Sequence, residues 1–570
     1  MLSSLSWRHV GDTTLMLYAL VPLVVAVLVL VFGQLALPGL GRAESILSTR
    51  WVAPAIAVIS ALTFGYEWGT LRQVPLVHDE AAYILQARLF AAGKWTDSVP
   101  IPEFFEQPHV LVTPRFAEKY GPGNAFLLTP GIWVGLPGLM PVVMLGVTGA
   151  LIFALGRRTV NVWVGIFAWM IWLGLASETT TFRPSYFSEM LTEALWVAGW
   201  WALLRWRGDR RARYLMLLAA CIGWMAITRP LTAVAFALPS GMAVLWMTWH
   251  RHAWSQLLAA CAVGVAFLAV IPLWSAKTTG SWRVTPLMLY TDQYMPYDVP
   301  GFGLRVKPLL REASPEIACF GGMYGGAHAG HVVSTIPAAL YARTREAINA
   351  FFADRRRGLI FFAALGVLAS PVELGFMLAT CVVLVLAYTT YAHSDDWTVY
   401  YLETQSACAL LAAAGVWIVI SAIGRRWAHR TSNGTESPAP GTAFAAWCMA
   451  ALIALATMPT LNAVRMVNHF KSIGDLPHRL FLQSVDSLPG ARKIVFVRYA
   501  PGKGCQQNLI QNLPPLATAP TWIVNDRGRE DLRLLRAAPD RIPYLFDAQR
   551  NTMEPLSLPI TSEPRIPVQR

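Results

Sequence analysis

Apolar runs, free of charge except for Glu189 and Glu193, recur along the chain, each bounded by short polar or basic stretches. They cover 14–33, 51–66, 139–156, 159–177, 189–204, 214–228, 230–249, 254–274, 358–371, 374–391, 404–424 and 441–461. A further run, 124–136, stops at Gly135-Leu136-Pro137-Gly138 and predicts a half-helix. About 20 apolar residues suffice to cross the hydrocarbon core as a helix, so the pattern predicts about 11–13 transmembrane helices. The first run is longer than the roughly 7–15 residues of a signal-peptide core, no small-x-small cleavage site follows it, and it reads as a retained helix. Basic residues gather in the short connections: Arg157-Arg158, the run from Arg205 through Arg213, Arg251, and Arg425-Arg426 with Arg430. The positive-inside rule makes these the cytoplasmic side. The opposite face then receives 67–123, 178–188, 275–357 and the tail after 461, which are long, aromatic-rich and hold most of the acids.

The periodicity changes in the tail. Lys493–Tyr499, Thr521–Asn525 and Ile542–Phe546 predict buried strands and Arg529–Ala538 a helix, the order of a small α/β domain of about 90 residues. The predicted fold class is therefore a polytopic α-helical membrane protein with long extracytoplasmic loops and a small C-terminal α/β domain. Its expected parts are N-terminal transmembrane helices (1–66), a first outer loop carrying the chemistry (67–123), a transmembrane region with its outer loop 275–357 (124–461), and the C-terminal domain (462–570). The stretch 428–440 reads as a flexible cytoplasmic linker. The Ala500-Pro-Gly-Lys-Gly504 loop lacks the P-loop spacing and its Ser/Thr, and reads as a turn.

Composition agrees with this picture. Of 570 residues 55% are hydrophobic and 14% charged, against about a quarter charged in soluble chains, which excludes a large cytosolic enzyme. The net charge of +13 (46 Lys and Arg against 33 Asp and Glu) lies largely in the inner connections, so it reports topology and not nucleic-acid binding. Cys221, Cys261, Cys381, Cys408 and Cys448 fall in apolar segments as packing residues, and no CxxC or zinc spacing occurs.

Chemistry concentrates in the first outer loop. His78-Asp79-Glu80-Ala-Ala-Tyr83 opens a short amphipathic helix. Asp79 reads either as its N-cap, with Glu80 favourable to the helix dipole, or as a carboxylate that takes a proton from a substrate hydroxyl. Glu118-Lys119-Tyr120-Gly121-Pro122-Gly123 follows at the next apolar run. Lys119 reads as half of an anion site completed by free backbone N–H groups, or as a lysine snorkelling to head groups. Arg183 with Glu189 is a structural pair or a substrate contact, and Arg229 in Thr228-Arg229-Pro230 holds a phosphate or turns a hairpin. Arg283, Tyr290, Tyr294 and the segment Tyr297–Gly303 suit a covering loop, and His393–Trp397 with Tyr400-Tyr401 a later part of the same cavity.

Asp79-Glu80 with Tyr83, then Glu118-Lys119-Tyr120-Gly-Pro-Gly, then Gly156-Arg157-Arg158 resemble the C-type membrane glycosyltransferases, a group that includes the protein O-mannosyltransferases and the lipid A aminoarabinose transferase. The resemblance spans residues 65–425, and the paired acids are its most specific part. It implies a polyprenyl-phosphate sugar donor, a glycan, lipid or protein acceptor hydroxyl, inversion by a single displacement, and no nucleotide. It places the chain among membrane lipids in a bacterial inner membrane, with the site facing the periplasm or exterior. It makes Asp79 the base with Glu80 its neighbour, sets Lys119 on the lipid phosphate, and adds Tyr83, Glu118, Tyr120, Arg183 and Arg283 as substrate-binding residues. Some relatives hold a divalent metal between the Glu of Glu-Lys and a later His; Glu118 matches the former, and His328 and His331 lie in a suitable loop. The chain departs from the family pattern at Tyr120-Gly121-Pro122, where a second Pro is usual. The alternative function is a polytopic transporter or lipid-linked-sugar flippase, which would share the helices but is expected to show internal repeats.

Overall fold

The computed structural model describes residues 40–72, 74–178, 185–296, 298–304, 313–352, 356–369, 371–431, 449, 453, 477–499 and 507–556. The apolar run 14–33, the run 441–461 apart from 449 and 453, Arg183, Tyr297, the loop Ala500–Gly504 and most of the linker 428–440 lie outside the described residues.

The remaining apolar runs are helices: Val52–Trp68, Leu139–Thr159, Val162–Glu178, Glu189–Asp209, Ala212–Ala226, Pro230–Arg251, Trp254–Leu268 continued by Val270–Thr279, Gly358–Ala369, Val372–Tyr388 and Thr404–Thr431. The run 124–136 is the 11-residue helix Gly123–Trp133. Among the described residues four helices are long and apolar enough to cross a membrane (Leu139–Thr159, Pro230–Arg251, Trp254–Thr279 and Thr404–Ala422), and the bent pair Gly358–Leu368 with Val372–Tyr388 would make a fifth. This is fewer than the sequence predicts. Val52–Trp68, Val162–Ala176 and Ala212–Ala226 are apolar but shorter, and Glu189–Asp209 carries charges at both ends. The chain is a multi-pass membrane protein.

Its interior is rich in tryptophan because a large ring fills space between helices, provided that its N–H finds an acceptor. Trp172 donates to Glu193 Oε1 at 3.0 Å, Trp200 to Thr380 Oγ1 at 3.1 Å and Trp206 to Gln256 Oε1 at 2.8 Å. The outward positions are also apolar: Leu258, Val265, Leu245 and Trp249 are exposed, and only 11% of the Trp254–Thr279 window is buried. Apolar surface facing outward is what lipid demands and water penalises. The basic connections meet at one end, where Arg205 pairs with Asp209 (2.5 Å), Arg207 with Glu373 (2.7 Å), and Arg251 donates to the Arg207 carbonyl (3.0 Å).

At the other end stand the outer loops and a four-stranded sheet. Its strands are β3 (Lys493–Arg498), β4 (Thr521–Asn525), β5 (Ile542–Asp547) and β6 (Thr552–Pro555); β1 (Val110–Leu111) and β2 (Ala117–Glu118) form a separate antiparallel ribbon. The order is β4-β3-β5-β6, with β3 parallel to both neighbours and β6 antiparallel to β5. The central strand is buried on both faces, so it reads as a continuous apolar run. Ile494 and Phe496, with Trp522 and Val524, pack on Ala82, Leu85 and Leu89 of the helix His78–Ala91 and on Phe104, Phe105 and Phe116 of the same outer loop. Val495, Val497 and Ile523 face Phe481 and Val485 of the helix over 477–487. The sheet is thus seated directly on the first outer loop. Cys319, in the helix Pro315–Ala329, is disulfide-bonded, whereas Cys221, Cys261, Cys381 and Cys408 are free.

Candidate active site

Asp79 does not cap its helix. The N-cap is Val77, and Glu80 closes the turn: its Oε2 accepts from the N–H groups of Leu76 (2.9 Å) and Val77 (3.4 Å), and its Oε1 from Tyr186 N–H (3.0 Å). Glu80, expected as a catalytic neighbour, is therefore engaged with the backbone, whereas Asp79 is partly open to its surroundings. The Asp79 side chain is 29% exposed. Its Oδ1 accepts from Tyr120 OH at 2.5 Å, and its Oδ2 lies 3.5 Å from His109 Nε2.

His109 is buried and holds a left-handed backbone (φ 66°), fixed by its N–H donating to Tyr290 OH at 2.9 Å and by its carbonyl accepting from Lys119 N–H at 3.0 Å. Burial, then the charges of Lys119 and His78, hold its imidazole well below the ordinary range. A neutral ring donates from one nitrogen, and Nε2 faces the Asp79 carboxylate. The Tyr120 phenol is pushed well up by burial and then by Asp79, so it stays protonated and donates.

The β1–β2 ribbon pairs Val110 with Glu118 and delivers the Glu118-Lys119-Tyr120 segment. Lys119 Nζ is 3.7 Å from Asp298 Oδ2 and lies over the rings of Tyr120 (5.1 Å) and Tyr290 (4.9 Å). Asp298 also accepts from Tyr391 OH (2.7 Å) and lies 3.6 Å from His328 Nε2. Burial pushes the Asp298 carboxyl up, but His328, Lys119 and Tyr391 outweigh it and hold the group at about 2. Glu118 is the opposite case. Neither of its buried carboxylate oxygens has a hydrogen-bond partner among the described residues, and burial holds it well above the carboxylate range; a neutral acid is the cheaper form there.

The Gly123 amide does not wait for an anion. Gly123 N–H donates to the Ile227 carbonyl (3.0 Å), and Trp224 Nε1–H to the Gly123 carbonyl (3.0 Å). A Cβ on Gly121 would collide with the Ile227 carbonyl oxygen, and one on Gly123 with Thr228 Oγ1. The two glycines permit a backbone contact that fixes the turn before Arg229. Arg229 Nη1 is 2.9 Å from Glu189 Oε1 and 3.6 Å from Glu403 Oε1, and Nη2 donates to Tyr388 OH (2.8 Å). Glu189 therefore pairs with Arg229, where proximity along the chain pointed to Arg183. Tyr83 OH donates to Ser188 Oγ (3.3 Å), which donates to Glu189 Oε2 (3.2 Å), while the Tyr83 ring packs on Tyr120 at 4.9 Å.

Of the residues singled out from the sequence, Asp79, Tyr83, Glu118, Lys119 and Tyr120 thus come together. Arg283 does not: it is exposed, with its guanidinium over Trp282. His328 faces Asp298, and His331 stacks on Phe302. Among the described residues no group of three or more His, Cys, Asp or Glu side chains is arranged to hold a metal ion. His109, Glu316 and Asn508 escaped the sequence reading. The only signal for His109 was a histidine in the acid-bearing stretch Glu106-Gln107-Pro108-His109 beside the Glu-Lys motif.

No protein-family model matches the sequence, and no curated protein matches it. Among the solved structures that are similar to the chain are two of one protein. One is ArnT from Cupriavidus metallidurans bound to undecaprenyl phosphate, at 13% identity and a TM-score of 0.44, covering 88% of this chain and 91% of that one. The other is ArnT from Cupriavidus metallidurans in the apo state, at 14% identity and a TM-score of 0.41, covering 86% of this chain and 88% of that one.

Proposed function

We propose that the chain is an integral membrane glycosyltransferase that moves a sugar from a polyprenyl-phosphate donor to an acceptor hydroxyl on a glycan, lipid or protein outside the cytoplasm. The observation that carries this reading is Asp79: a partly exposed carboxylate oriented by Tyr120 and a neutral His109, beside the buried cation Lys119. The acceptor hydroxyl gives its proton to Asp79 as its oxygen bonds to the anomeric carbon. The bond from that carbon to the phosphate oxygen breaks, polyprenyl phosphate leaves with the electron pair, and the single displacement inverts the centre. Lys119 meets the developing phosphate charge in a poorly solvated site, where a fixed cation is worth more than in water; Asp298 is its counter-ion when no donor is bound. Tyr83 and Glu80 position rather than react.

The setting is a bacterial inner membrane with the site outside. The Arg-rich ends lie on the helix termini remote from Asp79, as the positive-inside rule expects for a cytoplasmic face, and the bonded Cys319 fits an oxidising compartment. The test is complementation of a gene deletion, read by mass spectrometry of surface polysaccharide, lipid and protein glycans. D79N should leave the sugar-modified mass absent, a rate loss of about 10²–10⁴-fold, while the purified variant still binds undecaprenyl phosphate. Restoration of the modification by D79N would overturn the assignment and favour a flippase or transporter, which has no need of a base.

A further inference from the structure

The C-terminal domain reaches the residue next to Asp79 through the Asn508 side chain. Asn508 leaves the sheet in a loop next to residues of the first outer loop and is buried, with a left-handed backbone (φ 50°). Its Oδ1 is 3.0 Å from His78 Nδ1, its backbone N–H donates to Glu316 Oε1 at 2.8 Å, and its Nδ2 is 3.5 Å from the Pro75 carbonyl, which Gln511 Nε2 also approaches at 3.4 Å. Glu316 Oε2 accepts from Tyr499 OH, the other contact of this domain, at 2.9 Å. His78 Nε2 completes the ring of contacts, 3.7 Å from Glu316 Oε1.

Both ends of this network touch groups around Asp79. His78 precedes Asp79 at the start of their helix, so the contact fixes the backbone from which the Asp79 side chain departs. Glu316 begins the helix that carries Phe320, whose ring meets His78 edge-on at 4.8 Å and His109 at 5.5 Å. One asparagine therefore holds the carboxylate's backbone and, through Phe320, the imidazole that faces it. Docking the domain needs none of this: the apolar contact of Ile494, Phe496, Trp522 and Val524 with the outer loop is separate and much larger. A polar group placed inside such a contact costs desolvation and is justified by what it orients.

We propose that Asn508 is a positioning residue for the transfer reaction, a clamp by which the C-terminal domain sets the Asp79 carboxylate against the acceptor hydroxyl. This rests on the reading of Asp79 as the reacting base. Since a misplacement of about 1 Å can cost about 10²-fold in rate, the clamp belongs to the turnover step and not to donor binding.

The test uses the full-length protein in membranes of the deletion strain. That strain's polyprenyl-lipid extract is titrated as donor, and incorporation into its envelope is followed by mass spectrometry. N508G keeps the left-handed backbone and the N–H to Glu316 but removes the side chain. It should lower the maximal rate at least about tenfold, with the half-saturating amount of lipid extract and the thermal unfolding midpoint unchanged. N508D keeps an acceptor for His78 but sets a second carboxyl among His78, Glu316 and Tyr499. When both carboxyls ionise they repel, so its rate should fall more steeply than that of the wild type as the pH rises from 6 to 8. Transfer by N508G at the wild-type rate in an assay where D79N is inactive would overturn the clamp alone. So would a joint fall of rate and unfolding midpoint in N508G with an unaltered pH profile in N508D, because that is the mark of simple docking. An active D79N would remove the base reading, and the clamp with it.

Discussion

One guanidinium balances two carboxylates in the helical interior. Arg229 faces Glu189 and Glu403, and a third acid, Glu193, accepts from Trp172 and from Ser406 Oγ at 2.7 Å. Breaking a buried pair from one side leaves the other charge stranded, at a cost of about 3–5 kcal/mol, whereas removing both sides is far milder. R229M should therefore lower the thermal unfolding midpoint of the detergent-solubilised protein sharply, and E189Q/R229M/E403Q should recover part of the loss; equal midpoints for the two would contradict the pairing. Glu189 and Arg229 were legible as charges at the edges of apolar runs; Glu403 was not singled out. Their partners were not legible, because a single sequence carries no record of which distant side chain comes near. Proximity along the chain suggested Arg183 for Glu189; Arg183 lies outside the described residues, and among those described the fold brings in Arg229 from beyond the helix Ala212–Ala226. The same holds for Lys119 with Asp298 and for Asp79 with His109. The motif residues announce themselves by type, while the groups that tune them are ordinary histidines and aspartates until the chain folds.

Elements were easier to read than pairs. The apolar runs and the alternation in β3, with Ile494 and Phe496 to one side and Val495 and Val497 to the other, follow directly from burial. β6 escaped because Thr552–Pro555 is an exposed to half-buried edge with no such alternation. The Gly-Pro-Gly motif was visible, but its backbone partner was not. Free amides on an anion and a close backbone approach both require glycine, and only the position of Ile227 distinguishes them. G121A, which drives a Cβ into the Ile227 carbonyl, should cost about 1–3 kcal/mol and lower the unfolding midpoint. G326A, where nothing lies within 4 Å of the added carbon, should have little effect. If the two variants unfold alike, the approach of Gly121 to Ile227 is not what fixes this turn.

For the whole molecule, orientation follows from charge placement. Arg211 lies at the basic end and Arg283 in the outer loop, both exposed. In intact cells a membrane-impermeant maleimide should modify R283C but reach R211C only after permeabilisation; the reverse order would invert the topology and put Asp79 in the cytoplasm. The pairing of His78 with Asn508 across 430 residues also bears on biogenesis. With about 5–20 residues added per second, the ribosome needs roughly 20–90 seconds after making Asp79 to supply its distant support. Through that interval the half-made protein sits in the membrane with its reactive loop unbraced. On the proposed reading of Asp79 as the base and Asn508 as its clamp, a product truncated before Asn508 should be inserted yet inert.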